Sequence, residues 1–145
     1  MAEFSANAVQ TVNPGESIVF TENPVPCNCG FVRHRDGTGA FLLSGRTNAC
    51  NRRNVNYLVD SGANSAIPTG ETVTGITVAM TIDGATIPGS EMEVTPAAVE
   101  QFFNVSRAIN VGIWRGCCES VSIRNTSAIP ILVENANVIF SRGGG

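Results

Sequence analysis

Five cysteines and one histidine hold most of the reactive chemistry in this 145-residue chain. Cys27 and Cys29 flank a single Asn, Cys50 lies in a polar stretch, and Cys117 and Cys118 are adjacent. All five fall in turn-rich sequence, whereas buried free cysteines usually behave as small hydrophobes inside elements. Three fates are open to them: disulfide, free thiol or metal ligand. A Cys-x-Cys pair is too tight for an easy mutual bridge, and bridging neighbours distorts the peptide bond between them. Each member is therefore expected to pair elsewhere, one cysteine of the first pair with one of the second, or either with Cys50. Five is an odd number, so at least one thiol stays free or crosses to another chain. Such cross-links persist in an oxidising setting. The metal reading adds His34 to Cys27, Cys29, Cys50, Cys117 and Cys118, since zinc takes four sulfur or nitrogen ligands. The spacing is not that of a zinc ribbon, and His34, between Arg33 and Arg35 near a turn, reads first as a solvated or hydrogen-bonded surface residue. No cofactor is expected.

Catalytic constellations are thin. A serine hydrolase needs Ser, His and an acid together, yet His34 is the only histidine and no G-x-S-x-G occurs. A Cys–His nucleophile would have to use Cys29 or Cys50. Glu91 and Glu93, two apart, share a face if their segment is a strand, and with Asp83 they could hold calcium; a solvated face is the plainer reading. Arg52 and Arg53 are too few for a nucleic-acid patch. Trp114 and Arg115, in GIWRGCC, form a candidate recognition loop with Arg52 and Arg53, because Trp and Arg dominate binding hot spots. The competing reading packs Trp114 over a disulfide, as in other sandwiches. Two sequons, at Asn104 and Asn125, are also present.

Bulk composition narrows the class. Hydrophobic residues make up 43% and charged residues only 14%, well below the usual quarter. A chain so poor in charge is expected to cover apolar surface with another subunit. The net charge of −3 argues against general nucleic-acid binding, which needs a basic face. All nine basic residues are arginine, which excludes a Schiff-base or P-loop lysine. No apolar run reaches membrane-spanning length, and MAEFSANAVQ lacks the basic and apolar regions of a signal peptide.

These residues must be held by strands. Short runs of Val, Ile, Phe and Thr are punctuated by Gly, Pro, Asn and Asp. In Thr74–Pro88, apolar residues alternate through Ile76, Val78, Met80 and Ile82 up to Asp83-Gly84, the strongest local hairpin signal. Other strands are expected over 6–12, 17–22, 31–35 paired with 40–44, 55–60, 102–112, 119–125 and 131–141. Asn23–Pro26 is expected to break the second, and 45–54 and 61–71 to form loops. Thr95-Pro96 opens the one helical signal, a short insert near 96–102. About eight to ten strands at regular spacing indicate an all-β antiparallel sandwich, jelly roll or barrel, with one domain over residues 1–145 and Gly143–Gly145 as a tail.

TVNPGESIVF, DGTGAFLL within RHRDGTGAFLLSG, VAMTIDGATIPGS and SIRNTS before the closing ILVENANVIFSR follow one another in an order that covers roughly residues 6–142. That order resembles the bacterial branch of tumour-necrosis-factor-like, complement-head-like jelly rolls. The resemblance implies a jelly roll, a tight homotrimer and a role in display or attachment on a cell, spore or phage exterior. The five cysteines and the insert at Glu93–Phe102 depart from the family pattern. Together these readings give a non-enzymatic structural module, self-associating and without membrane insertion. Alternatives are a receptor- or glycan-binding head and a subunit of a disulfide-linked fibre. Candidate trimer contacts are Tyr57, Val59, Ile109, Val111, Ile139 and Phe140.

Overall fold

A computed structural model describes residues 2–25, 30–47 and 53–143. It is all-β among those residues, two antiparallel sheets packed face to face. The strands are β1 (Ala2–Ala6), β2 (Gln10–Val12), β3 (Glu22–Val25), β4 (Val32–His34), β5 (Ala40–Gly45), β6 (Asn54–Ala66), β7 (Ile76–Ile82), β8 (Ala85–Thr86), β9 (Met92–Val94), β10 (Phe103–Trp114), β11 (Gly116–Asn125) and β12 (Ile131–Gly143). One sheet runs β10-β6-β12-β1-β3, with β2 beside β12. The other runs β4-β5-β11-β7-β8, with β9 beside β7.

Alternation does what it predicts. In β6, Val55, Tyr57 and Val59 are buried, while Asn56, Leu58 and Asp60 face out. Phe4, Phe20, Phe41 and Phe140 meet between the sheets, with ring centroids 4.9 Å apart for Phe4–Phe41 and for Phe41–Phe140. Asp83 (φ 49°) and Gly84 (φ 86°) form the tight turn between β7 and β8, both left-handed as that turn type requires.

Several expectations are corrected. No helix forms at 96–102. Glu100 sits at φ 60° and its N–H donates to Ile67 O at 2.7 Å, so the i→i−4 bond that a helix needs goes elsewhere. The first strand is two, β1 and β2, interrupted at Asn7–Val9. Residues 17–21 make only isolated bridges, at Ser17 and Phe20, and Glu22 already belongs to β3. The segment expected to break them is β3, with Pro24 tolerated because β3 is an edge strand. Residues 61–66 belong to β6 rather than to a loop, although they read as Ser, Gly and Asn. Ser61, Ala63 and Ser65 are the inward positions and small enough to pack there. Gly143 pairs with Asn56 instead of lying in a tail.

Candidate functional site

Strand direction gathers four arginines at one end of the sandwich. There β5, β10 and β12 finish and β6 and β11 begin: Gly45 pairs with Gly116, Trp114 with Asn54, and Arg142 with Tyr57. Arg46, Arg53, Arg115 and Arg142 all lie at these strand ends. The Arg142 guanidinium stacks on Phe31, 3.9 Å from the ring centroid, and donates to Arg46 O. The Arg115 N–H donates to Arg53 O at 2.8 Å, tying two of the segments together. Tyr57 is fully buried beneath them and its hydroxyl donates to Ser44 O at 2.6 Å. Burial pushes the phenol up, while the positive charge of Arg142 and the bonds to Arg142 and Ser44 pull it back.

Trp114 ends β10 with its side chain on the outer face, 66% exposed. Its carbonyl is pressed against Gly45, where a Cβ would overlap it, so the backbone is fixed while the indole faces solvent. Trp114 therefore does not pack as a lid over the interior. Cys118 is disulfide-bonded. Cys27, Cys29, Cys50 and Arg52, and the side chain of Cys117, lie outside the described residues. Arg53 and Arg115 are exposed beside Trp114.

His34 is placed differently from a ligand. Its ring stacks on Phe41 (4.3 Å, 18°) and meets the edge of Phe4. Nδ1 lies 3.0 Å from Ala40 O and Nε2 lies 3.1 Å from Phe20 O. Both nitrogens face carbonyls, so His34 joins β4 to β5 and to the segment before β3. Among the described residues no group of three or more His, Cys, Asp or Glu side chains is arranged to hold a metal. Asp83 lies at the β7–β8 turn while Glu93 pairs with Thr77 at the other end of β7, so the calcium grouping is not assembled. Asn104 is exposed; Asn125 is fully buried and its amide donates to Val12 O and Ile129 O.

A second carboxylate contact was not legible in the sequence. The Asp83 N–H donates to Ser120 O, and Asp83 Oδ1 accepts from Ser120 N at 2.9 Å. This clamps the turn beside Glu119, whose Oε2 is buried without a hydrogen-bond partner. Burial, and then the charge of Asp83, push the Glu119 carboxyl above its ordinary range.

On the outer face of the β10-β6-β12-β1-β3 sheet, most outward residues of β10 and β6 are uncharged. Register aligns Asn110, Leu58 and Ser141 in one outward row and Ala108, Asp60 and Ile139 in the next. Leu58 is 45% exposed. Along the far side of β10, twelve residues have no strand partner among the described residues. Of the six candidate trimer contacts only Ile139 faces out. Tyr57, Val59, Val111 and Phe140 fill the core, and Ile109 packs against it from the open flank. Alternation puts odd-numbered β6 residues inward, and register then carries Val111 and Phe140 inward with them.

No protein-family model matches the sequence, and comparison with curated proteins finds no match. Solved structures do match. The globular domain of a zebrafish complement 1qA protein superposes with a TM-score of 0.59 at 11% identity, over 95% of this chain and 94% of that one. Eiger TNF from S. frugiperda gives 0.64 at 12% identity, over 97% and 90%. The chain thus has the jelly-roll fold shared by complement 1q globular domains and tumour necrosis factors, in line with the resemblance read from its turns.

Proposed function

We infer that this jelly roll is a non-enzymatic structural module that assembles as a homotrimer and serves in display or attachment on an exterior surface. The observation that carries the reading is the outer face built from Leu58, Ala108, Asn110, Ile139 and Ser141, next to an edge of β10 that has no strand partner among the described residues. A free edge of this length is a template for association unless another surface covers it. The low total charge fits the same picture, because flanks without charge are inexpensive to bury. The fold likeness supports it too, since a homotrimer is what the resemblance to these jelly rolls implies.

Light scattering with and without reductant tests the reading. Three 15.2-kDa chains give a particle of about 46 kDa, expected in both conditions, with cysteines acting as staples within or between loops. A 15.2-kDa monomer at all concentrations would remove the trimer. Large particles that collapse on reduction would favour the disulfide-linked fibre.

A second reading is a ligand-binding head, favoured by the exposed indole of Trp114 beside Arg115. Glycan-array binding that is lost in Trp114→Ala, with the native mass unchanged, would support it. An array on which neither protein binds would count against it.

A further inference from the structure

The two ends of the sandwich carry opposite charge. At the end described above lie Arg46, Arg53, Arg115 and Arg142, and the nearest carboxylate along β11 is Glu119, beyond the irregularity between Gly116 and Glu119. At the opposite end β6, β2 and β11 finish and β7, β10 and β12 begin. The Glu16 backbone carbonyl accepts from Asn125 N there, Glu71 sits in the loop after Ile67, Glu93 pairs with Thr77, and Glu100 donates its N–H to Ile67 O. Glu16, Glu93 and Glu100 are exposed and Glu71 is half-buried. The arginines of β10 and β11 toward that end, Arg107 and Arg124, direct their guanidiniums to the carbonyls of Glu91 and Gly84.

β6 spans 13 residues between the ends, about 40 Å at the rise of a strand. That is several times the Debye length of roughly 8 Å at physiological ionic strength. Each end therefore presents its own field to a partner, although the chain as a whole has a net charge of only −3. We propose that copies of this chain, as monomers or as trimers, associate head to tail, the arginine end of one against the glutamate end of the next. The occupant of each end is a second copy because the complementary surface is on the molecule itself. Such a contact is heterologous and does not close on itself, so it builds open linear assemblies. It goes beyond trimer formation and uses neither the outer sheet face nor the β10 edge.

Sedimentation velocity tests this with charge reversals at exposed positions. The wild-type chain should grow in mean mass with concentration at about 0.01 M salt and fall back to its basal particle near 1 M, where the Debye length is only about 3 Å. Arg46→Glu/Arg53→Glu/Arg115→Glu makes both ends acidic and Glu16→Arg/Glu93→Arg/Glu100→Arg makes both basic, all six positions being exposed. Each alone should weaken end-to-end association at least about tenfold, because like charges now face each other. A one-to-one mixture of the two variants should restore it, and so should the sixfold variant with the sign of both ends exchanged. Those recoveries separate lost complementarity from lost folding. A wild-type mass that is independent of salt, or a mixture that stays dispersed, overturns the proposal. Retention of a salt-insensitive wild type on an immobilised sulfated polysaccharide, lost in Arg46→Glu/Arg53→Glu/Arg115→Glu, would assign the arginine end to an anionic polymer instead.

Discussion

Glu119 and Tyr57 show what single polar groups do in this sandwich. The Glu119 carboxyl, raised above its ordinary value by burial and by Asp83, holds its proton more tightly in the folded chain than in the unfolded one. The sign follows from linkage: stability is fullest below the ordinary carboxylate range and falls as pH rises through the window between the unfolded and folded values. Glu119→Gln keeps the shape of the protonated form, so its melting temperature should exceed that of the wild type at neutral pH and converge with it in acid. A parallel pH dependence for both proteins would show that Glu119 does not titrate in that window. At the same end of the sandwich, Tyr57→Phe removes the hydroxyl that donates to Ser44 O. Urea denaturation should report a loss of about 1 kcal/mol, with the Arg142–Phe31 stack left in place. His34 teaches the converse. Its neighbours in sequence are arginines and a turn, which suggested a solvated or hydrogen-bonded surface residue; the ring is hydrogen-bonded but half-buried, because Phe41 of β5 stacks on it and Phe4 of β1 meets its edge.

At the level of elements, local chemistry was read well where a turn required it. Asp83-Gly84 is legible because few residue pairs tolerate positive φ twice in succession. Gly84→Ala keeps the space around the site nearly free, the nearest atom being Arg124 Nη2 at 3.9 Å, but forces Cβ into φ 86°. It should cost about 1 kcal/mol in thermal or urea unfolding. A neutral effect would mean that the turn relaxes to another type. Elements were misread where composition and position disagreed. Residues 61–66 look like a loop because Ser, Gly, Ala and Asn favour turns, yet β10 and β12 pair on both sides of them and small residues are what the crowded interior accepts. Around Pro96 the helical signal failed for a tertiary reason: the Glu100 N–H finds its acceptor on Ile67.

At the scale of the whole molecule, the outward face with Leu58 is the part most open to test. Leu58→Arg adds charge where the single chain leaves the side chain 45% exposed. The isolated subunit should keep its unfolding midpoint within roughly 0.5 kcal/mol, as surface substitutions do, while the native mass falls from trimer to monomer. An unchanged trimer would move the interface off this face. The amino-acid sequence by itself determined the class of the molecule. Period-two alternation, turn residues at regular spacing and scarce charge admit little besides an antiparallel sandwich, since each signal acts within a few residues. Only the tertiary structure decided which apolar residues face the core, because the side of a strand depends on pairing with partners far along the chain. The same pairing brought Arg46, Arg53, Arg115 and Arg142 to one end and Glu16, Glu71, Glu93 and Glu100 to the other. That polarity is invisible in a linear reading, where the members of each cluster lie in segments far apart along the chain and meet only once strand direction sorts them in space.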